Sequence, residues 1–161
     1  MCRCLELEKT FPYLVSNQLG MDYYNLAVGG TGIDVITHNL IVWLHNVKKL
    51  PKALIIQWPS SERFLLTDGN ELKFFNGTSD DDSILRFIDS GMEINYFNSV
   101  KNLSKKLLMT LYDCKLINVE FQSFNDDIDA NLVRKDFARD LSHAGILSNQ
   151  IVADEIIPRL R

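Results

Sequence analysis

Asp140 and His143 are the pair of side chains in this chain best suited to catalysis. They are three positions apart in the segment 140–145, directly ahead of the apolar pattern of the last predicted helix. A carboxylate at this spacing can hold an imidazole in one tautomer, and an imidazole held in this way can act as the base for a nucleophile. The pair therefore indicates the orienting half of a hydrolytic triad.

A glycine-rich turn at 29–32 is the second candidate feature. It follows an aromatic and apolar run at 23–28, which predicts a strand that enters a turn and opens a helix. Backbone N–H groups at such a turn can bind an oxyanion. A phosphate site is an alternative, but the dinucleotide fingerprint needs a further glycine where this chain has Val35. A plain strand-to-helix turn is the other alternative.

Composition excludes several classes of protein. The chain has 161 residues, 46% of them hydrophobic, and a net charge of −4 without any lysine- or arginine-rich run. Length and hydrophobic content predict one globular domain over residues 1–161, and the charge argues against nucleic acid as a main partner. No apolar run is long enough to span a membrane and no secretory signal precedes the fold, so we expect a cytoplasmic protein. Cys2 and Cys4 are too few for a zinc site, and we expect no metal.

The elements that must position these residues alternate along the chain. Apolar spacing and capping residues predict helices at 11–19, 34–49, 98–112 and 146–160, with a short one at 83–89. Buried-type runs predict strands at 23–28, 53–58 and 116–121, and the segments 59–82 and 122–140 are predicted to be irregular. The alternation predicts a three-layer α/β/α sandwich with a mostly parallel sheet. Ligands of such sheets bind at the carboxyl ends of the strands, where the glycine turn, the segment 58–61 and the Asp140–His143 loop would converge.

Three segments resemble a known family. Residues 25–31 (Asn-Leu-Ala-Val-Gly-Gly-Thr) resemble the second sequence block of the SGNH hydrolases, the GDSL esterase/lipase family. Residues 140–145 (Asp-Leu-Ser-His-Ala-Gly) resemble its closing Asp-x-x-His block, and residues 11–14 (Phe-Pro-Tyr-Leu) are similar to the helix that follows its nucleophile block. The resemblance implies a flavodoxin-like α/β/α fold and a serine nucleophile. It also implies His143 as base, Asp140 as its orienter, the Gly30 N–H as an oxyanion donor, and no cofactor.

The chain departs from the family pattern in two places. The family's third block supplies an asparagine in a Gly-x-Asn-Asp turn, whereas this chain has Gln-Trp-Pro-Ser-Ser at 57–61, so Ser60 or Arg63 would have to serve there. Trp58, at a predicted strand end, is expected either to pack in the core or to line a substrate pocket. Aligning the helix at Phe11 places the family's serine at or ahead of Met1. We therefore expect the nucleophile and its strand upstream of this chain.

These observations favour an ester hydrolase that removes an acetyl or short acyl group from a carbohydrate or another small molecule. Its oligomeric state is left open. The alternative is a non-catalytic SGNH-like module that binds a carbohydrate or acyl ligand, and a flavodoxin-like binder of a phosphorylated cofactor is a third hypothesis. Plainer interpretations also exist: Asp140 as the N-cap of the last helix, and His38 and His45 as surface histidines. A thiol nucleophile from Cys2 or Cys4 is the remaining alternative.

Overall fold

The computed structural model of the chain describes residues 7–28, 31–61, 63–68, 71–76, 90–121, 128–138 and 143–161. The helices among them are α1 (Phe11–Leu19), α2 (Ile33–Asn46), α3 (Met92–Leu111) and α4 (Ile146–Leu160), with a short 3-10 helix at Leu7–Lys9. The strands among them are β1 (Ala53–Trp58), β2 (Arg63–Asp68), β3 (Glu71–Asn76), β4 (Lys115–Phe121) and β5 (Ala130–Leu132). The protein is therefore of the mixed α/β class.

The chain divides into two compact units. The first contains Met1–Asn25, Lys52–Trp58 and Lys115–Arg161, and the second contains Leu26–Pro51 and Pro59–Cys114. In the first unit β1, β4 and β5 form a parallel sheet in the order β1-β4-β5. Since all three strands run the same way, their carboxyl ends lie at one edge of the sheet.

Helices α1 and α4 pack together in this first unit and share one hydrophobic core with β4 and β5. The helix α1 begins after Thr10, with Pro12 in its first turn, where proline removes no needed hydrogen bond. It ends at Gly20, whose φ of 61° is left-handed and favours glycine. The buried residues of the shared core come from all four elements: Phe11, Val15, Ile117, Val119, Ala130, Leu132, Val152, Ala153, Ile156 and Ile157.

In β1 and β4 a second set of alternate side chains, on the face opposite to Ile117 and Val119, is also buried. Leu54, Ile56 and Trp58 of β1 belong to this set, and so do the polar residues Asn118 and Glu120 of β4. The parallel register pairs Ile56 with Asn118, and it pairs Trp58 with Glu120. Buried polar side chains therefore lie beside apolar ones towards the carboxyl ends of these two strands.

The second unit contains α2, α3 and the antiparallel hairpin of β2 and β3. Two side-chain hydrogen bonds join the helices: Thr37 Oγ1 with Ser104 Oγ at 3.1 Å, and Tyr96 Oη to Asp34 Oδ1 at 2.5 Å. Burial and this bond to the Asp34 carboxylate raise the pKa of Tyr96 to about 12. The tyrosine is therefore a neutral donor that ties the second turn of α3 to the first turn of α2.

The sequence-based predictions for β1, α1 and α4 are confirmed in type and bounds, and those for α2, α3 and β4 are confirmed in type. The predicted strand at 23–28 is wrong, because these residues form no strand and Tyr24 and Val28 are 74% and 55% exposed. The predicted irregular segment 59–82 is wrong at β2 and β3, and 122–140 is wrong at β5. The predicted helix at 83–89 lies outside the described residues.

None of the helices in the described part of the chain combines the length and apolar character that a membrane crossing requires.

Candidate functional site

His143 lies on one arm of a short two-armed stem ahead of α4. The Ala138 N–H donates to the His143 carbonyl oxygen at 3.0 Å, and the Gly145 N–H donates to the Asp136 carbonyl oxygen at 3.1 Å. Between these bonds, Phe137 and Ala144 form an antiparallel bridge. We call residues 136–138 and 143–145 the His143 stem. It holds the main chain of His143 next to the start of α4 and leaves the residue exposed.

Two other predicted site residues, Asp140 and Gly30, lie outside the described residues. The predicted contact between Asp140 and His143 and the predicted oxyanion donor at Gly30 therefore stay predictions. The plainer interpretation of Asp140 as N-cap of the last helix is wrong, because α4 begins at Ile146 and its N-cap residue is Gly145.

The capping side chain of α4 is instead Asp136, ten residues before the helix begins. Its Oδ2 accepts the Leu147 N–H at 2.9 Å, and its Oδ1 accepts the Ser148 N–H at 2.8 Å. Ser148 Oγ also donates to Oδ1 at 2.6 Å. These bonds satisfy backbone donors that have no partner within the helix, and the negative charge is favourable at a helix N-terminus.

Ser148 connects this cap to the chain that leads into the stem. Its Oγ accepts the Lys135 N–H at 2.9 Å, and the residue is fully buried. Ser148 Oγ also accepts the Asp136 N–H at 3.3 Å. A serine hydroxyl can donate one hydrogen bond and accept two, so these three contacts can form together. The sequence predicts none of this, because Asp136 and Ser148 are too far apart to form a local capping box.

The pKa of Asp136 gives the capping contact a pH dependence. Desolvation acts to raise this pKa, but the hydrogen bonds from Ser148 Oγ and from the N–H groups of Leu147 and Ser148 outweigh it, and the pKa is lowered. A lowered folded-state pKa means that the contribution to stability is complete above the unfolded pKa of about 3.9. It is lost as the pH falls through the lower, folded value.

We therefore predict that Asp136→Ala lowers the free energy of unfolding by about 1 kcal/mol at pH 7. The difference in free energy of unfolding between wild type and variant should become smaller as the pH is lowered from 5 towards 2 at constant ionic strength. Urea denaturation at each pH measures this difference. Asp154→Ala is the control, since Asp154 is an exposed carboxylate on α4 whose Oδ1 accepts a hydrogen bond from Gln150 Nε2 within the same helix. A difference in free energy of unfolding that stays constant with pH would contradict the assignment of the Asp136 carboxylate as the cap of α4.

The stem requires glycine at position 145, because there is no space there for a side chain. A Cβ atom added there would lie 2.6 Å from Asp136 Cγ and 2.7 Å from the Phe137 carbonyl oxygen. The φ of Gly145 is −85°, which any residue adopts, so backbone strain is not the reason for glycine.

Gly145→Ala is accordingly predicted to destabilise the protein by about 1–3 kcal/mol, since the new methyl group forces the stem apart. Whether Gly145→Ala destabilises or stabilises the protein shows whether the site is crowded or open. In open space, the same replacement at a negative φ would stabilise a protein by about 0.4–1 kcal/mol, because it restricts the unfolded chain. Thermal and urea denaturation of the variant measure this sign directly.

Asn149 links the starts of α1 and α4. Its Oδ1 accepts the Phe11 N–H at 3.0 Å, and its Nδ2 donates to the Gly145 carbonyl oxygen at 2.8 Å. One buried amide therefore satisfies the first donor of α1 and holds the last residue of the stem. The partners are 138 positions apart, so no local sequence signal reveals the contact.

Trp58 lies in the interior at the carboxyl end of β1. It is 1% exposed, and its Nε1 donates to Asn118 Oδ1 at 3.2 Å. The main-chain N–H and the Nδ2 of Asn118 donate to Asp129 Oδ2 at 2.7 and 3.1 Å. This placement agrees with the packing alternative of the two that the sequence leaves open for Trp58.

Ser60 follows β1 and is exposed. Its carbonyl oxygen accepts the Arg63 N–H at 3.1 Å, which closes a turn into β2. The predicted use of its hydroxyl as an oxyanion donor stays a prediction.

Metal and thiol chemistry gain no support from the described residues. Within these ranges no three His, Cys, Asp or Glu side chains are grouped so that they could hold a metal ion. Burial and the Asp113 carboxylate raise the pKa of the Cys114 thiol, which disfavours the nucleophilic thiolate. Cys2 and Cys4 lie outside the described residues.

The chain matches no family model, and it matches neither a curated protein nor a solved structure.

Proposed function

We propose that this chain is part of a serine-type ester hydrolase of the SGNH kind, with His143 as the general base. The observation that carries the proposal is the placement of His143. It is exposed, it follows the last strand of a parallel sheet, and the stem and the start of α4 hold its main chain. Catalytic side chains are commonly found in loops that a rigid scaffold holds in this way.

In the proposed reaction His143 takes the proton of a serine hydroxyl as that oxygen attacks the ester carbonyl. It then gives the proton to the leaving alcohol, and a water molecule repeats the sequence on the acyl-enzyme. Asp140 would hold the imidazole in the correct tautomer, and the Gly30 N–H would bind the oxyanion. The proposal needs a serine nucleophile, which the family pattern places ahead of the helix at Phe11, and a substrate with a small acyl group.

The fold supports this proposal at a coarse level. A parallel sheet with α1 and α4 packed against it is compatible with one half of a three-layer α/β/α sandwich. The complete sandwich of the SGNH type is part of the proposal.

The proposal is tested with a longer form of the protein that includes the residues encoded in frame ahead of Met1. We expect this form to hydrolyse p-nitrophenyl acetate with saturation kinetics. Saturable binding of acetylated sugars without turnover would instead favour the non-catalytic binding module. A folded protein that shows neither binding nor turnover would contradict both the esterase and the binding-module hypotheses.

A further inference from the structure

Asp136 acts on both the His143 stem and the helix that follows it. Its carbonyl oxygen accepts the Gly145 N–H, and its carboxylate accepts the N–H groups of Leu147 and Ser148. Two residues after Asp136, the Ala138 N–H donates to the His143 carbonyl oxygen. A displacement of Asp136 must therefore disturb the stem on which His143 lies.

The stem has little room to adjust. Gly145 is buried and leaves no space for a methyl group beside Asp136 and Phe137. Ser148, which contacts the Asp136 carboxylate, is fully buried. On the first arm, the guanidinium of Arg134 lies 4.8 Å from the centre of the Phe137 ring, a favourable cation–π distance. The two arms of the stem, 136–138 and 143–145, are thus fixed to the first turn of α4.

We propose that Asp136 is a positioning residue for His143, holding its imidazole in place by anchoring the stem to α4. This role in catalysis rests on the proposed function. A displacement of about 1 Å in a group that contacts the reacting atoms can cost about a hundredfold in rate. The anchor also has an effect that can be measured without turnover, because it determines the environment and the mobility of the His143 ring.

The first test uses the 161-residue chain and needs no activity. Nuclear magnetic resonance would follow the ring signals of the three histidines, His38, His45 and His143. In Asp136→Ala we expect the His143 signals to shift or broaden, while those of His38 and His45, both exposed on α2, stay at their wild-type positions. We also expect the amide protons of Ala138 and Gly145 to exchange at least about tenfold faster than in wild type, since opening of the stem exposes them.

Smaller changes keep the test decisive if Asp136→Ala does not fold. Ser148→Ala removes the hydroxyl that donates to the carboxylate and accepts the Lys135 and Asp136 N–H groups, but it leaves the two backbone bonds to the carboxylate in place, so we expect an effect of the same kind. Asp136→Asn keeps one acceptor oxygen and should give an intermediate effect. Asp154→Ala, on the exposed side of α4, should leave the His143 signals unchanged.

The second test uses the longer form. Asp136→Asn is expected to lower kcat about tenfold while KM stays within about twofold, as for a group that acts on the base rather than on substrate binding. Unchanged His143 signals and unchanged amide exchange in both Asp136 variants would overturn the inference. Shifted His143 signals in a protein whose wild-type longer form has no turnover would support the anchor and contradict the proposed function.

Discussion

Replacing Trp58 by alanine is expected to lower the free energy of unfolding by about 3–5 kcal/mol, the range for a fully buried large aromatic side chain. The ring is 1% exposed at the end of β1, and its removal would leave a cavity and withdraw the donor from Asn118 Oδ1. Asn118 in turn donates to Asp129, which precedes β5. Removal of the ring therefore also affects the side-chain hydrogen bonds that connect neighbouring strands of the sheet. Urea denaturation monitored by circular dichroism measures the effect.

Two further variants separate the contributions to this loss. Trp58→Phe retains most of the packing but removes the indole N–H, so it should cost about 1–3 kcal/mol for the unsatisfied Asn118 oxygen. Gln57→Ala changes an exposed neighbour in the same strand and should stay within about 0.5 kcal/mol of wild type. A loss below about 1 kcal/mol for Trp58→Ala would show that the ring is not packed as the structure has it.

Elements with a strong local signal could be predicted from the sequence. The helix α1 has a proline in its first turn and a left-handed glycine at its end, and both signals act within the element itself. β1 is a short apolar run after Pro51, which is typical of a buried parallel strand. For α1 and β1, local preference and tertiary structure agree.

The predictions failed where tertiary partners decide the structure. The run at 23–28 has the composition of a strand but forms none, because the strand preference of a residue depends on its tertiary surroundings more than on composition. β5 has only three residues, and it forms by parallel pairing with β4, the strand before it in the chain. Strands of this kind carry too few residues to produce a recognisable alternation.

The candidate site was predicted only in part, for the same reason. The position of His143 ahead of the last helix follows from the sequence order and is present in the structure. Its support by Asp136, Ser148 and Asn149 depends on contacts between segments that are distant along the chain, so no spacing rule shows it. The plainer of the two interpretations of Asp140 placed the cap at this nearer aspartate, whereas Asp136 caps the helix.

In the longer form, His143→Ala is expected to lower kcat for p-nitrophenyl acetate by at least about 10³-fold, because the serine would lose its general base. The residual rate would come from the oxyanion site and substrate binding.

Stability and specificity controls accompany this variant. His143 is exposed, so the free energy of unfolding should change by less than about 0.5 kcal/mol. His38→Ala and His45→Ala replace exposed histidines on α2 and should keep kcat within about twofold of wild type, as expected for residues without a catalytic role. A similar loss in all three variants would mean that His143 has no special part in the reaction.

The role of His143 as a general base is tested most directly by the rate at which a fluorophosphonate modifies the longer form. Mass spectrometry of the intact protein and of its peptides follows this reaction. Fluorophosphonates react with serines that a neighbouring base activates. We expect a single phosphonyl adduct on one serine, formed rapidly in wild type and in His38→Ala and at least about 10²-fold more slowly in His143→Ala. No adduct, or an adduct that forms equally fast without His143, would contradict it.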